Sequence, residues 1–182
     1  MRIRAAADHD AQAIGQVHVE VWRFAYRDIL PEGYLASLSP EERAVQWRSL
    51  LKDPQSARFV LIAVNERDEV LGFAAAGPER SGEPRNQGEL YALYVLPSHQ
   101  RRGLGHELVR AVAHRLLANG MSSMLLWVLE SNASARRFYE RLGGAMVRHQ
   151  PTDIGGVTLT EVAYGWPRLG LLLKTSAAEP SA

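Results

Sequence analysis

The chain has no cysteine among its 182 residues. Without thiols it cannot form disulfides, bind a metal through thiolates or pass through a covalent acyl-cysteine intermediate. It also has no apolar run near the roughly 18 residues of a membrane-spanning helix, and residues 1–5 lack the apolar segment of a secretory signal. We therefore expect a cytoplasmic protein that does not associate with a membrane.

An excess of one charge sign is missing as well. The 21 Lys and Arg residues against 20 Asp and Glu residues give a formal net charge of +1. Such a charge balance gives no global basic field, and we expect no nucleic acid partner. Metal-binding spacing is also missing. His18-Val19-Glu20 lacks the second histidine of a His-Glu-x-x-His helix, so we expect no bound metal.

What the sequence does contain is typical of one globular domain. Hydrophobic residues make up 46% of the chain and charged residues 23%. Near the C-terminus the apolar pattern gives way to Ser, Ala, Glu and Pro. We predict a single domain over residues 1–168 and a mobile C-terminal tail over residues 169–182.

Hydrophobic spacing predicts both strands and helices. Strands are expected over residues 3–6, 58–64, 70–76, 89–95, 124–129, 147–150 and 157–164. Helices are expected over about 10–30, 40–52, 103–119 and 133–142. An antiparallel hairpin followed by strand-helix-strand-helix order favours an α/β sheet with helices on both faces.

The turn Gln100–Gly105 joins the strand over 89–95 to the following helix. Gly103 and Gly105 lack Cβ atoms, which lets a ligand approach the backbone closely. The free N–H groups of a helix start and the helix dipole attract phosphate oxygens. Arg101 and Arg102 add positive charge at the same place. The turn therefore predicts a phosphate site, with an ordinary tight strand-to-helix turn as the alternative.

Two other glycine-rich motifs do not fit this turn. A dinucleotide-binding fingerprint requires a third glycine, and Leu108 stands at that position. A P-loop requires a Gly-Lys-Ser/Thr triplet, which the sequence does not contain. Neither motif is predicted here.

Two segments resemble motifs of the GNAT superfamily of N-acetyltransferases. Leu93–Leu108 is similar to motif A of that family, a strand followed by Gln/Arg-x-x-Gly-x-Gly/Ala. Asn132–Gly143 is similar to its late motif, an asparagine seven residues before a tyrosine and then Leu-Gly. The stretch Val21–Tyr26 also resembles many bacterial members, so that the resemblance extends over residues 1–166.

This resemblance implies a fold and an activity. The fold is a mixed, mostly antiparallel twisted sheet with helices on both faces. The activity is transfer of the acetyl group of acetyl-CoA directly to a primary amine of a small molecule within a ternary complex. Two alternatives stay open: acetylation of a protein N-terminus or lysine, and a catalytically silent acyl-CoA-binding module. A homodimer is expected at the level of the family only.

The resemblance also implies which residues bind the cofactor. The backbone at the strand end holds the pantetheine arm of coenzyme A in this family, which maps to Leu93, Tyr94 and Val95. Backbone N–H groups of the turn hold the pyrophosphate, which maps to Arg101, Arg102, Gly103, Leu104, Gly105 and His106. Asn132 is implied to lie near the cofactor. An N–H group near Val95 is implied to stabilise the oxyanion that develops on the thioester carbonyl.

Two side chains are assigned to the chemistry by the resemblance. Tyr139 matches the tyrosine that lies near the thioester sulfur and is often the general acid, although its helical spacing also suits core packing. Glu89 lies on the strand that carries a general base in several members, with a strand-end surface carboxylate as the alternative. The other glutamate position of the family, five residues before Asn132, holds Trp127 here.

The acceptor side of the site is predicted from aromatic residues. Trp22 and Tyr26 lie four residues apart on the first predicted helix, hence on one face, although Trp22 also suits core packing. The first two helices line the acceptor site in many members of the family, which adds Tyr34. Alternation along a strand places Glu89, Tyr91, Leu93 and Val95 on one face, so Tyr91 is expected in the same cleft.

Overall fold

The structure, a computed structural model, describes residues 1–53, 57–82 and 85–174. The strands are β1 (Arg2–Ala5), β2 (Phe59–Val64), β3 (Val70–Pro78), β4 (Gly88–Val95), β5 (Met124–Leu129), β6 (Ala145–Ile154) and β7 (Val157–Trp166). The helices are α1 (Ala11–Ala25), α2 (Glu32–Ser37), α3 (Pro40–Leu51), α4 (Leu104–Ala118), α5 (Ala133–Arg141) and α6 (Leu169–Lys174). Strands β6 and β7 are longer than expected because their pairing continues to the turn at Gly155 and Gly156.

The seven strands form one sheet in the order β1-β2-β3-β4-β5-β7-β6. Strands β4 and β5 pair in parallel, and the other neighbouring strands pair antiparallel. Strand β7 lies between β5 and β6, so the last hairpin completes one half of the sheet. The predicted mixed, mostly antiparallel sheet is confirmed.

Helices cover both faces of this sheet, as predicted. We call one side of the sheet the α4 face, because it packs against α4. Four apolar residues of α4 are at most 2% exposed in this core: Leu104, Leu108, Val112 and Leu116. Their spacing of four residues places them on one side of the helix. The face that we call the α1 face packs against α1 and α3, with Ile14 of α1 buried against Ile62 and Phe73 of the sheet.

Strands β4 and β5 separate partway along their length. Their parallel ladder consists of three pairs, which join Gly88 to Met124, Glu89 to Leu125 and Leu90 to Leu126. Strand β4 continues to Val95 and β5 to Leu129. Over these last residues the facing edges of the two strands are not paired with each other within the described chain. We call the gap between them the β4–β5 opening.

A β-bulge at Tyr91 changes which side chains share a face. Ala75 pairs with Ala92 and Ala76 with Leu90, so Tyr91 is an extra residue in β4. Tyr91 packs on the α1 face, whereas Leu93 and Val95 belong to the α4-face core. The expectation that these three residues share one face with Glu89 is therefore wrong, since an inserted residue reverses the alternation beyond it.

Two helical segments differ from the predictions. Helix α1 ends at Ala25, and Pro31 is the N-cap of the short helix α2. The tail is predicted from residue 169, yet residues 169–174 form α6, which buries Leu169 and Leu172 in the α4-face core. Leucines three residues apart give this segment one apolar side, which explains its packing. Residues 175–182 of the predicted tail lie outside the described residues.

A helix crosses a membrane only if it is both long and apolar. Within the three described ranges, no helix is both long enough and apolar enough to cross a bilayer.

Candidate active site

The turn between β4 and α4 has the features of an anion-binding site. Gly103 is the N-cap of α4 with a φ of +81°, a conformation that glycine adopts without strain. The first N–H groups of α4 have no partners within the helix and point out of its N-terminus. Arg101 and Arg102 are exposed beside them. Gln100 donates from Nε2 to the carbonyl of Val95 at 3.0 Å, which ties the turn to the end of β4.

The two glycines of this turn serve different purposes. A Cβ added to Gly103 meets no protein atom within 4 Å, so this side of the turn faces open space. A Cβ added to Gly105 lies 3.3 Å from Cζ of Phe138 on α5. Gly105 therefore allows α4 and α5 to pack closely, and Gly103 is the residue that leaves room for a ligand.

Asn132 is placed at the opening by its role as a helix cap. Its Oδ1 accepts a hydrogen bond from the backbone N–H of Ala135 at 3.1 Å, which begins α5. Burial raises the pKa of Tyr26, and a side-chain hydrogen bond between Asn132 and this tyrosine offsets part of that rise. Asn132 thus connects the start of α5 to the end of α1.

Tyr139 lies on α5 within an aromatic part of the core. It is 8% exposed, and its ring centroid lies 5.2 Å from that of Phe138 and 6.4 Å from those of Tyr164 and Trp166. Burial, and then the neighbouring Tyr94, raise the pKa of Tyr139 above its usual value. The hydroxyl therefore stays protonated at neutral pH and is able to donate a proton.

Two tyrosines of the predicted site lie on opposite faces of the sheet. Tyr94 lies on the α1 face with its ring 5.4 Å from Phe73, whereas Tyr139 belongs to the α4-face core. Burial raises the pKa of Tyr26, and the hydroxyls of Tyr94 and Tyr139 raise it further. Three of the predicted site residues, Tyr26, Tyr94 and Tyr139, are therefore electrostatically coupled.

Glu89 is held by Arg80. Glu89 is 3% exposed, so the alternative of a surface carboxylate is wrong. Arg80 donates from Nη2 to Oε1 at 2.6 Å, and from Nε and its backbone N–H to Oε2 at 3.2 and 3.0 Å. These hydrogen bonds raise the pKa of the guanidinium. Both oxygens of the predicted base are therefore engaged.

Tyr91 lies next to this ion pair and away from the other aromatic residues of the predicted acceptor side. The guanidinium of Arg80 stands 3.9 Å above its ring centroid. The Tyr91 hydroxyl donates to the carbonyl of Pro78 at 2.5 Å. Tyr91 and Arg80 thus fix the end of β3 and the start of the loop that follows it against β4.

The other predicted acceptor residues do form one cluster. The ring centroid of Trp22 lies 5.1 Å from that of Tyr26 and 6.5 Å from that of Tyr34. Leu159 of β7 packs against the same cluster. Gly155, at the tip of the β6–β7 hairpin, is so close to Tyr34 that a Cβ there would lie 2.6 Å from its ring. The hairpin therefore covers the outer side of this cluster.

Sequence reasoning missed His18, which lies one helical turn before Trp22. Its Nδ1 accepts a hydrogen bond from Nε1 of Trp47 at 3.1 Å, and its ring lies 5.0 Å from Tyr94. Burial, together with the charge of Arg43, lowers the pKa of His18 to about 3, so the imidazole is neutral. The spacing of four residues from Trp22 was the available signal.

Arg148 and Glu161 were also missed. They lie on β6 and β7, and the register places both on the α1 face, because the intervening Val162 belongs to the α4-face core. Their alternation along each strand is visible in the sequence. That they stand beside β5 depends on the insertion of β7 between β5 and β6, which a sequence pattern does not reveal.

A metal site requires several ligating side chains that converge on one point. Among residues 1–53, 57–82 and 85–174, no group of three or more His, Cys, Asp or Glu side chains is arranged to hold a metal ion.

Comparisons with known proteins identify the family of this chain. The model of a family described as the acetyltransferase (GNAT) family matches residues 19–144. A Bacillus subtilis (strain 168) protein named as the uncharacterized N-acetyltransferase YuaI is 41% identical over 170 residues, which cover 93% of this chain and 95% of that protein.

Solved structures share the fold. The PaiA N-acetyltransferase of Thermoplasma acidophilum in complex with coenzyme A matches with a TM-score of 0.69 and 20% identity, covering 88% of this chain and 96% of that chain. The structure of yncA from Salmonella typhimurium with its cofactor acetyl-CoA matches with a TM-score of 0.66 and 23% identity, covering 100% of this chain and 98% of that chain.

Proposed function

The chain belongs to the acetyltransferase (GNAT) family, and we propose that it moves the acetyl group of acetyl-CoA directly to a primary amine of a small molecule within a ternary complex. As a member of this family it is an acyl-CoA-dependent N-acetyltransferase, and acetyl-CoA is its co-substrate. The acceptor class and the direct transfer are the parts that we propose.

The β4–β5 opening is the observation that carries this proposal. At one end lies the turn whose open side is bounded by Gly103. Along it, backbone N–H and C=O groups of β4 lack partners from β5, and such groups seek hydrogen bonds. Tyr139 lies on α5, the helix that follows β5, and keeps its hydroxyl protonated. An elongated ligand with a phosphate at one end and a reactive group at the other matches this arrangement.

The cofactor residues follow from this arrangement. The backbone of Leu93, Tyr94 and Val95 would hold the pantetheine arm along the free edge of β4, as an added strand is held. The N–H groups over Arg101–His106 would hold the pyrophosphate, with Asn132 close by. Bound acetyl-CoA supplies an acetyl group activated as a thioester. Having both substrates bound together removes the entropic cost of a bimolecular encounter.

Tyr139 is the general acid of this proposal. A leaving thiolate must gain a proton, and a buried tyrosine with a raised pKa holds its proton at neutral pH. An N–H group near Val95 would stabilise the oxyanion that develops on the carbonyl. In this proposal Tyr139 protonates the sulfur that leaves, and the N–H group stabilises the charge on the carbonyl oxygen.

Glu89 is the general base of this proposal. The acceptor amine must lose a proton to attack, and a carboxylate on β4 is suited to receive it directly or through water. Because Arg80 engages both oxygens of Glu89, the role requires that water or the amine replaces one of these contacts. Its buried position beside the start of the opening supports the assignment.

A small acceptor is favoured over a protein segment by the β6–β7 hairpin. Its tip at Gly155 lies against Tyr34, and its Leu159 packs with Trp22 and Tyr26. This contact narrows the acceptor side, whereas an extended peptide would need an open groove. This contact therefore supports a small-molecule acceptor.

An acceptor screen tests the proposal. Thiol release from acetyl-CoA is followed with amines, polyamines, amino acids and peptides under the same conditions. We expect turnover with at least one class of small primary amines and little with peptides. Turnover with peptides alone would identify a protein N-acetyltransferase. Binding of coenzyme A without turnover on any acceptor would identify a catalytically silent acyl-CoA-binding module.

A further inference from the structure

Two opposite charges lie side by side on the α1 face of the last hairpin. Arg148 of β6 pairs in register with Ala163 of β7, and Gln150 pairs with Glu161. Arg148 and Glu161 are therefore diagonal neighbours, with Cα atoms about 7–8 Å apart. Although their charges are complementary, they form no ion pair with each other within the described chain.

Arg148 is held in place but has hydrogen-bonding capacity left. Its guanidinium stacks 5.0 Å from the ring centroid of Trp127, and its Nη2 donates to the carbonyl of Ser81 at a long 3.4 Å. Its Nε is buried and has no hydrogen-bond partner among the described residues. A buried donor without a partner is unfavourable, so the hydrogen bonding of Arg148 is incomplete without a further acceptor.

Arg80 shows the opposite situation on the same face of the sheet. Its guanidinium stacks on Tyr91 in the way that Arg148 stacks on Trp127. Arg80, however, is neutralised by Glu89 through charge-assisted hydrogen bonds. Among the residues that the structure describes, no carboxylate neutralises the charge of Arg148.

Glu161 faces the acceptor cluster. Its Oε1 accepts a hydrogen bond from Nε2 of Gln150 at 2.6 Å, which orients the carboxylate, and no cation pairs with it in the described part of the chain. Leu159, two residues earlier on the same side of β7, packs with Tyr26 and its neighbours.

Both charges stand beside the β4–β5 opening. Leu126 is the last residue of β5 that pairs with β4, so Trp127 is the first residue past that ladder. Trp127 pairs with Ala163, which pairs with Arg148, so the stacked guanidinium is level with this point. Glu161 pairs with Leu129, farther along the separated part of β5.

We propose that the acceptor is a free amino acid, whose carboxylate binds Arg148 and whose ammonium group faces Glu161 before it is acetylated. This inference rests on the proposed function. A guanidinium with free donors matches a carboxylate in geometry and charge. A carboxylate that no cation neutralises attracts an ammonium group. A molecule with both groups a short distance apart completes the two half-sites at once.

Matched pairs of acceptors test this inference. The panel contains L-amino acids and the amines formed by their decarboxylation, such as L-leucine with isoamylamine and L-phenylalanine with phenethylamine. We expect kcat/KM at least about tenfold higher for the amino acid of the preferred pair. Amino-acid amides and peptides lack the neighbouring carboxylate, so we expect their kcat/KM to be as low as that of the amines. Equal rates for both members of every pair would overturn the inference and leave the acetyltransferase activity intact.

Substitution of Arg148 assigns the carboxylate to its site. Arg148→Gln lowers kcat/KM for the preferred amino acid about tenfold or more, mainly through KM, and leaves the decarboxylated amine within about twofold. Arg148→Lys keeps the charge and recovers part of the loss. Arg67→Gln, an exposed arginine in the β2–β3 turn, serves as the control and leaves both substrates unchanged.

Binding measurements separate this inference from the proposed function. Calorimetry with the same amino acids on protein saturated with coenzyme A reports acceptor binding without turnover. Binding to the wild type that is lost in Arg148→Gln, at an unchanged melting temperature, supports the site even if no acetyl transfer occurs. Equal binding to both proteins, or an equal loss of the amino acid and its amine, would contradict it.

Discussion

The hydroxyl of Tyr139 is the single group whose environment bears most directly on the chemistry. Burial and the neighbouring Tyr94 raise its pKa, so it carries a proton throughout the physiological range. A group that protonates a leaving thiolate must hold its proton until the carbon–sulfur bond breaks. The raised pKa thus suits the acid role better than the base role.

Removal of this hydroxyl tests the acid role. We expect Tyr139→Phe to lower kcat about tenfold or more while coenzyme A binds as before, since the ring and its packing remain. The control is Tyr164→Phe, because the hydroxyl of Tyr164 donates to the exposed Glu140 at 2.5 Å. Steady-state kinetics and calorimetry measure both variants. Unchanged turnover in Tyr139→Phe would remove the assigned role.

The base role of Glu89 is tested by pH dependence. Glu89→Gln keeps the shape of the side chain and one acceptor for Arg80, but it cannot take a proton. We expect the ratio of wild-type to variant kcat/KM to grow as the pH falls from about 8 to about 6.5, because the acceptor amine is then hardest to deprotonate. A ratio that stays constant over this range would show that Glu89 only positions Arg80.

His18 predicts how stability depends on pH. Its pKa in the folded protein is lowered to about 3 from the ordinary value of 6.5. Between these two values the unfolded chain binds a proton at this position and the folded chain does not. Stability is therefore complete above about pH 6.5 and falls as the pH is lowered towards 3, by up to about 1.4 kcal/mol per pH unit.

A substitution isolates this effect. His18→Asn places an acceptor oxygen where Nδ1 accepts from Trp47 and removes the titrating group. Between about pH 7.5 and about pH 5.5 we expect the wild type to lose roughly 1 kcal/mol more unfolding free energy than the variant in urea titrations. The exposed His114→Asn is the control. Parallel losses in the wild type and His18→Asn would contradict a buried neutral histidine.

Individual residues differed in how far the sequence revealed them. Asn132 caps α5 and Tyr139 lies two turns later, so local helical spacing made their relation readable. The contacts of Arg80 with Glu89 and of Arg148 with Trp127 join residues that lie 9 positions apart in the first case and on separate strands in the second. No local periodicity reports such contacts.

At the level of single elements, the turn before α4 gives a sharp test through its glycine. Gly103→Val should abolish coenzyme A binding, because its Cβ would enter the open space at the helix N-terminus. Gly120→Val is the control, because it introduces the same kind of backbone strain away from this turn. Gly120 follows the other end of α4, has a φ of +82° and likewise has open space at its Cβ.

Calorimetry with coenzyme A distinguishes the two glycine variants. Both pay the cost of forcing a branched side chain into the left-handed region, so both lose stability to a similar degree. We expect only the Gly103 variant to lose affinity. Equal affinities in the two variants would mean that the turn does not hold the pyrophosphate.

Most of the strands and helices could be predicted from the sequence, but their irregularities could not. Strand β5 and helix α3 follow their sequence patterns closely, with Ser39 capping α3 through the N–H of Glu42 at 3.2 Å. The bulge at Tyr91 left no trace in the sequence, because an inserted residue within an apolar strand keeps its hydrophobicity. That one irregularity separates Tyr91 from Leu93 and Val95.

At the scale of the whole molecule, the position of the candidate site depends on how the strands of the sheet are ordered and paired. Helices on both faces were predicted from the order of the elements, and their packing confirms it. The separation of β4 from β5 leaves the end of β4, which carries Tyr94, without a partner from β5 within the described chain. Strand order and separation are long-range properties, so the resemblance to a family implied this cleft where spacing alone did not.

A crystal structure of the protein with coenzyme A tests this account most directly. We predict that the pantetheine arm lies in the β4–β5 opening along the backbone of Leu93–Val95, with the pyrophosphate at Arg101–His106 and the sulfur within reach of the Tyr139 hydroxyl. Coenzyme A bound elsewhere, or bound with its sulfur away from Tyr139, would contradict the account.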